Sequence, residues 1–251
     1  MGKIEKGNNV IIKSADLFGR LNFPTLSKNE LHIWTVSLDS SEEFIENCKS
    51  ILSEGERSRI DWFSFPQVQK NYIISQGVLR SILAGYLNIE PLQVKLSKHA
   101  KGKPFVTNDS SLFFNLSNSG KKAVFSFSRD NEVGIDLEMI RALPDLEELI
   151  QKNFSQKEVD YIVKNPEEKL KRFFLFWTIK ESYLKAIGEG MRLAPDNLEF
   201  SIENDTIKFL GAKGFDDPTE WLFKQFDLED NYVGTIVYQG ETIVLLNLSV
   251  V

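Results

Sequence analysis

The sequence predicts an α+β fold made of two similar α+β subdomains, spanning residues 1–129 and 130–251. The first observation behind this prediction is order: in both halves, helical periodicity is followed by short alternating or β-branched runs. The second is size and composition, because 251 residues that are 42% hydrophobic and 26% charged can bury one large core or two smaller ones. One continuous α+β domain is the alternative, since the repeat is faint at the level of individual residues.

The first half is predicted to place its helices between strands, after an extended lead-in over residues 1–30. Ser53 followed by Glu56 has the pattern of a capping box, which marks a helix start. A later helix must end before Pro91, because proline cannot continue it. The turn Asn118-Ser119-Gly120 joins the last two strands. The predicted elements are a strand at 31–38, helices beginning at Ser53 and spanning about 67–87, and strands at 113–116 and 123–128.

The second half is predicted to contain the strongest helix of the chain. This helix covers about 168–187, and Gly188 and Gly190 end it. The turn 129–131 leads into a strand that precedes this helix. The predicted strands of this half are 133–138, 198–202, 220–227, 232–238 and 242–250.

Bulk properties exclude several classes of protein. A net charge of −6 argues against diffuse nucleic-acid binding, and no apolar run approaches the roughly 20 residues that cross a bilayer. The N-terminus has no apolar signal-peptide core, and the single cysteine, Cys48, cannot form an internal disulfide. We therefore expect a cytoplasmic protein. With only two histidines, any catalytic metal would be a hard ion held by carboxylates.

Two acidic residues share one face of the strand that begins at Val133. Side chains alternate along a strand, so Asp136 and Glu138 lie on the face opposite Ile135. Gly134 on the acidic face is expected to leave open space beside them. Two adjacent carboxylates repel unless a cation or solvent relieves them. The pattern predicts either a metal site or an edge strand with a solvated acidic face.

A third carboxylate interrupts the apolar stripe of the helix at 168–187. At 100° per residue, Glu181 lies in the middle of a stripe formed by Leu170, Phe174, Trp177 and Leu184. Burying a bare carboxylate costs several kcal/mol, so Glu181 is expected to be paired or metal-bound. Lys185 lies one turn further on, and a solvated ion pair at this spacing is the alternative.

Two turn-rich segments are candidates for phosphate binding. Lys101-Gly102-Lys103-Pro104 places basic residues around a glycine-proline turn, after Lys98 and His99. Ser117-Asn118-Ser119-Gly120 precedes Lys121 and Lys122. A solvated loop and a plain hairpin, respectively, explain them equally well.

These segments resemble, in order and approximate spacing, the Sfp-type 4′-phosphopantetheinyl transferases. The specific motifs are Gly134-Ile135-Asp136-Leu137-Glu138 and Trp177-Thr178-Ile179-Lys180-Glu181-Ser182-Tyr183-Leu184-Lys185-Ala186, and the two turn-rich segments support them. Weaker similarity extends from Arg57 to about Phe200. The length fits the pseudo-dimeric type, not the shorter trimeric carrier-protein synthases, so the resemblance implies a monomer with its active site in a cleft between the subdomains.

The resemblance also implies the ligands and the site residues. Coenzyme A would lie in the cleft, with Mg²⁺ or Mn²⁺ on its diphosphate. The implied metal ligands are Asp136, Glu138 and Glu181, and the implied catalytic residues are Glu181, Lys185 and Glu158. The implied coenzyme A contacts are Arg59, Lys101, Gly102, Lys103, Pro104, Ser117, Asn118 and Lys185.

The implied activity is transfer of phosphopantetheine from coenzyme A to a serine of an acyl or peptidyl carrier protein. The chain departs from the family pattern where Asn118 replaces the usual histidine. It departs again where Asn71 replaces a basic residue, for which Lys70 is a candidate substitute. Two alternatives stay open: another Mg²⁺-dependent phosphotransferase or nuclease, and a weakened paralogue that binds coenzyme A or carrier proteins without transfer.

Overall fold

The computed structural model describes residues 10–12, 23–28, 30–188, 193–204, 206–214, 220–228, 231–240 and 244–249. The α-helices in these ranges are α1 (Glu42–Ser50), α2 (Glu54–Ile60), α3 (Pro66–Leu87), α4 (Leu146–Asn153), α5 (Gln156–Val163) and α6 (Lys169–Ile187). The strands are β1 (Val10–Ile12), β2 (Glu30–Ser37), β3 (Leu96–Lys98), β4 (Pro104–Val106), β5 (Leu112–Ser119), β6 (Lys122–Arg129), β7 (Val133–Met139), β8 (Leu198–Glu203), β9 (Thr206–Ala212), β10 (Trp221–Leu228), β11 (Tyr232–Gln239) and β12 (Val244–Ser249).

Two larger sheets and two hairpins organise the strands. One sheet has the order β1-β12-β2-β6-β5, the other has the order β10-β11-β7, and β3-β4 and β8-β9 form separate pairs. Strand β12 runs parallel to both of its neighbours, β1 and β2, whereas β7, β11 and β10 are antiparallel. The predicted α+β class is therefore confirmed. A strand near the C-terminal end lies inside the sheet of the first half, and the boundary at residues 129 and 130 stays a prediction.

Three groups of buried side chains stabilise this arrangement. One lies between α1, α3 and the five-stranded sheet, and includes the close approach of Gly77 to Cys48. A second is rich in aromatic rings and packs α4, α5 and α6 against β8 and β9. A third joins the two larger sheets, with Ile33 and Val124 on one side and Ile135 on the other. This third group brings β7 next to β5, which is what positions the candidate site.

Most of the strongly patterned elements match their predictions. Strand β2, helix α3 and helix α6 begin and end within about two residues of the expected positions. The capping box of α2 is present, with the Glu56 carboxylate accepting from the backbone N–H of Ser53. Strands β5 and β6 are longer than predicted, because their ends pair with each other up to the turn.

Short elements were missed, and some predictions fall outside the described residues. Helices α1, α4 and α5 contain only eight or nine residues each, too few to show a clear helical period. Most of the predicted lead-in over residues 1–30 lies outside the described ranges, as does Gly190. Within the described ranges, no helix combines the length and the apolar character needed to cross a bilayer.

Candidate active site

Helix α6 packs directly over strand β7, and this contact determines the geometry of the site. A Cβ added to Gly134 would lie 2.7 Å from the backbone N of Ala186 and closer still to the carbonyl oxygen of Ser182. The expectation that Gly134 leaves open space beside the acids is therefore wrong. The glycine is needed because helix backbone occupies that space. The packing brings the residues of α6 next to the acids of β7.

Asp136 is held by two donors and has one oxygen with no partner. Its side chain is buried, and its Oδ1 accepts from Ser117 Oγ at 2.8 Å and from Lys185 Nζ at 2.6 Å. Its Oδ2 is buried without a hydrogen-bond partner in the described part of the chain. The sequence placed Lys185 beside Glu181, but the structure pairs its ammonium with Asp136. A buried carboxylate oxygen without a donor is costly unless a further cation or proton reaches it.

Glu138 is fixed at the outer end of the same strand face. Its Oε2 accepts from Ser119 Oγ at 2.7 Å and from Arg141 at 3.3 Å. Ser119 Oγ also accepts from the backbone N–H of Met139 at 3.1 Å, so one hydroxyl of β5 ties both the side chain and the backbone of β7. The contacts of Ser119 and Arg141 with Glu138 were not predicted from the sequence. Only the side-by-side packing of β5 and β7 brings Ser119 there.

Glu181 faces a cavity of about 920 Å³ and not the closed core. Trp177, Leu184 and Lys185 line the same cavity, so two residues of the predicted apolar stripe form part of its wall, whereas Phe174 is buried in the aromatic core. Burial raises the pKa of the Glu181 carboxyl, the negative charges of Asp136 and Glu138 raise it further, and the Lys185 ammonium opposes them. The negative charges of Asp136 and Glu138 therefore act on Glu181, which lines this cavity.

The three acids fit a hard divalent ion in their chemistry but are not gathered around one point. Among the described residues, no three His, Cys, Asp or Glu side chains are close enough together to hold a metal ion. Asp136 and Glu138 each contact a basic side chain instead, Lys185 and Arg141. Carboxylate oxygens are the ligands that Mg²⁺ and Mn²⁺ prefer, and the unpartnered Oδ2 of Asp136 is a donor of this kind. The metal assignment stays a prediction, and the chemistry of these three carboxylates is compatible with it.

All four residues of the loop 101–104 border the cavity, but the ammonium group of Lys103 is bound by other parts of the protein. Lys101, Gly102 and Pro104 line the cavity, and Gly102 has a φ of +97°, a conformation that favours glycine. Lys103 contributes to the wall, but its ammonium donates to the Ala186 carbonyl at 2.6 Å and to Glu132. The predicted roles of these residues toward coenzyme A are untested.

A second cavity, of about 630 Å³, lies on the side of α2 and α3. Arg59 lines it and stands 5.8 Å from the ring centroid of Tyr72. Gly102, Pro104 and Leu116 border both cavities. Six of the eight predicted coenzyme A residues thus line two adjoining spaces: Arg59, Lys101, Gly102, Lys103, Pro104 and Lys185.

The two departures from the family pattern lie on exposed surface. Asn118 is exposed and, because side chains alternate along β5, shares a strand face with Leu116 and not with Ser117. Lys70, the candidate substitute for a missing basic residue, pairs with Glu42 at 2.6 Å. Asn71 accepts a hydrogen bond from Gln67. In this structure, therefore, Lys70 already has an acidic partner.

Glu158 belongs to a buried network beneath α6. It is only 1% exposed, and it accepts from Lys180 Nζ at 2.7 Å and from the backbone N–H of Phe200 at 2.9 Å. Lys180 also donates to the carbonyl oxygens of Asn153, Pro195 and Leu198. The predicted catalytic role of Glu158 is untested, and the structure brings it to Lys180 and not to Glu181. Lys180 was not predicted to have a role, although this residue directly precedes Glu181.

Comparisons with known proteins show the family of this chain. Residues 132–237 match the family model described as 4′-phosphopantetheinyl transferase superfamily, and residues 36–129 match the model described as 4′-phosphopantetheinyl transferase, N-terminal. The chain is 40% identical over 171 residues to the 4′-phosphopantetheinyl transferase HetI of Nostoc sp., covering 66% of this chain and 72% of that protein.

Animal relatives extend the similarity over more of the chain. Human L-aminoadipate-semialdehyde dehydrogenase-phosphopantetheinyl transferase is 29% identical over 217 residues, which cover 78% of this chain and 69% of the human protein. The corresponding protein of Xenopus laevis is 30% identical over 204 residues, which cover 74% of this chain and 67% of the frog protein. The chain belongs to the 4′-phosphopantetheinyl transferase superfamily.

Proposed function

We propose that this protein transfers 4′-phosphopantetheine from coenzyme A to a serine hydroxyl of an acyl or peptidyl carrier protein, in a reaction that requires Mg²⁺ or Mn²⁺. The observation that carries the proposal is the position of Glu181 and Lys185 in the wall of the 920 Å³ cavity, where Lys185 pairs with Asp136 and the charges of Asp136 and Glu138 act on Glu181. Membership of the superfamily, and relatives named for this transfer, support it.

The acids of β7 and α6 are proposed to hold the divalent ion. Asp136, through its unpartnered Oδ2, would bind it together with Glu138 and Glu181. When bound, the ion supplies positive charge that offsets the diphosphate of coenzyme A. Ser117 and Ser119 keep the two strand carboxylates in fixed orientations, because each hydroxyl donates to one of them.

Glu181 is proposed to accept the proton of the attacking serine, directly or through a water that it orients. Its carboxylate lines the cavity, and a carboxylate is a group that can act as such a base. As the serine oxygen bonds to the phosphorus of phosphopantetheine, the bond from that phosphorus to the bridging oxygen breaks and adenosine 3′,5′-bisphosphate leaves. Lys185 lines the cavity beside Glu181, and its ammonium donates to Asp136, to Ser117 Oγ and to the Ile135 carbonyl oxygen. Because its side chain is 29% exposed, against 9% for Lys103, we propose that it can turn from these acceptors to stabilise negative charge on the phosphoryl oxygens.

The two adjoining cavities are proposed to take coenzyme A. Gly102 and Pro104 border both spaces, Lys101 lines the larger one, and Arg59 provides a cation in the smaller one. The larger space has the apolar side chains of Trp177 and Leu184 in its wall, which suit the uncharged pantetheine arm.

The decisive experiment is intact-protein mass spectrometry of several apo carrier proteins incubated with this protein, coenzyme A and Mg²⁺. We expect each accepted carrier to gain the mass of one phosphopantetheine group. A carrier whose acceptor serine is replaced by alanine should gain nothing, and EDTA should stop the reaction. The proposal fails if no carrier gains mass while a known transferase modifies the same samples.

The second candidate is a protein that binds coenzyme A or carrier proteins without transferring the group. The observation in its favour is Asn118, which leaves a neutral, exposed side chain where the family pattern has histidine. Tight calorimetric binding of coenzyme A together with unmodified carriers would favour this candidate. Metal-dependent release of phosphate from other substrates would instead favour another phosphotransferase.

A further inference from the structure

Lys103 has an ammonium group that is surrounded by acceptors from the protein itself. Its side chain is only 9% exposed. Its Nζ donates to the Ala186 carbonyl oxygen at 2.6 Å, to the Val133 carbonyl oxygen at 3.4 Å and to the carboxylate of Glu132. An ammonium group has three protons, and these three acceptors use all of them.

The acceptors belong to the two elements that carry the candidate active site. Ala186 lies in the last turn of α6, directly after Lys185. Glu132 and Val133 lie where β7 begins, three or four residues before Asp136. Lys103 therefore bridges the C-terminal end of α6 and the start of β7 from a third segment, the loop 101–104.

The end of α6 is shaped to receive this lysine. Carbonyl oxygens in the last turn of a helix lack helical partners, and the negative end of the helix dipole favours a cation there. Gly188, with a φ of +69°, ends the helix, and a Cβ added to it would lie 3.3 Å from Lys103 Cδ. The lysine stem thus packs against the helix end while its ammonium binds the carbonyl of Ala186.

We propose that Lys103 is a positioning residue, which holds the Lys185 end of α6 against β7, and that it does not bind a phosphate of coenzyme A. This inference rests on the proposed function for its meaning, because the elements it joins carry Glu181, Lys185 and Asp136. Its geometry is independent of that function. The neighbouring Lys101, which lines the same cavity, is the matched comparison.

Holding α6 against β7 and binding a phosphate make different demands on the Lys103 ammonium. Burial lowers the pKa of the Lys103 ammonium, and the negative charge of Glu132 opposes that effect. To reach a phosphate, the ammonium would have to leave one carboxylate and two carbonyl oxygens. Breaking a buried pair in this way leaves the partner charge and the helix end unsatisfied.

The test is a comparison of Lys103→Met with Lys101→Met in steady-state transfer to a carrier protein. For Lys103→Met we expect kcat to fall about tenfold or more, because α6 loses its anchor, with KM for coenzyme A within about threefold of the parent. For Lys101→Met we expect the reverse, a raised KM with little change in kcat. A raised KM and an unchanged kcat for Lys103→Met would overturn the inference.

A double-mutant cycle in urea unfolding tests the same inference without any transfer assay. Lys103→Met, Glu132→Gln and the double variant should show a clear coupling in the free energy of unfolding. If Lys103→Met does not fold, Glu132→Gln alone should lower kcat and leave KM nearly unchanged. Absence of coupling between Lys103 and Glu132 would overturn the inference. Absence of transfer by the parent protein would overturn the proposed function and leave the cycle valid.

Discussion

Replacing Gly134 with alanine should separate α6 from β7 and disable the candidate active site. The added Cβ would lie 2.7 Å from Ala186 N and 2.8 Å from Ala186 Cβ, and closer still to the Ser182 carbonyl oxygen. Ordinary contacts between such atoms begin at about 3.5 Å. Helix α6 must therefore retreat by at least about 0.7 Å, because backbone atoms cannot rotate out of the way as a side chain can.

The expected magnitudes follow from this displacement. Overpacking a well-packed core costs about 1–3 kcal/mol, and a clash with backbone belongs at the upper end of that range. For a chain of this size, about 3 kcal/mol lowers the melting temperature by roughly 6–12 °C. The same shift moves Glu181 and Lys185 away from Asp136, and a misplacement of about 1 Å can reduce kcat by about 100-fold.

The assays are thermal unfolding by circular dichroism and carrier modification by mass spectrometry. Gly55→Ala is the matched control, because among the described residues nothing outside the neighbouring backbone of α2 lies within 4 Å of a Cβ added to Gly55. Alanine is the better helix former, so this control should keep or raise the melting temperature. Equal melting temperatures and equal kcat for the parent and Gly134→Ala would refute the packing of α6 on β7 described above.

Three further predictions concern single side chains of the site. Glu181→Gln should reduce kcat by at least about 100-fold and change the calorimetric affinity for coenzyme A little, because an amide cannot accept the proton. The pKa of Glu181 is raised in the folded state, so its ionised form destabilises the metal-free protein. The same variant should therefore raise the melting temperature of the metal-free protein at pH 7 to 8. This gain should vanish as the pH falls below the pKa that Glu181 has in the unfolded chain. Asn118→His should tighten coenzyme A binding by about fivefold at pH 6 and less at pH 8, as a charge-assisted bond to phosphate adds about 1 kcal/mol. Lys180→Met should lower the free energy of unfolding in urea by about 3–5 kcal/mol, because the buried Glu158 loses its cation.

Each of these three predictions has a result that contradicts it. Turnover of Glu181→Gln within tenfold of the parent would place the base elsewhere. An equal effect of Asn118→His at both pH values would show that this face of β5 does not meet a phosphate. A loss below about 1 kcal/mol in Lys180→Met would mean that Glu158 is not a buried charge. Lys208→Met, which breaks an exposed pair with Glu203, is the control and should change the free energy of unfolding by less than about 1 kcal/mol.

Much of the fold followed from local patterns in the sequence. The capping box at Ser53 and the long periods of α3 and α6 predicted these helices, because their hydrogen bonds and caps lie within the segment itself. The alternation along β7 correctly placed Asp136 and Glu138 on one face. Short helices such as α4 and α5 were not predicted, because eight residues contain too few turns to show a helical period.

The sequence by itself determined which residue types are available: three carboxylates and a lysine in motifs with a family resemblance. Only the tertiary structure decided their partners. Lys185 lies one turn from Glu181 along the helix, yet it pairs with Asp136, because α6 packs on β7 through Gly134. Lys103, Ser119 and Lys180 acquired their roles in the same way: their acceptors lie 15 to 83 residues away along the chain. Contacts over such separations depend on how the elements pack, and no local pattern encodes them.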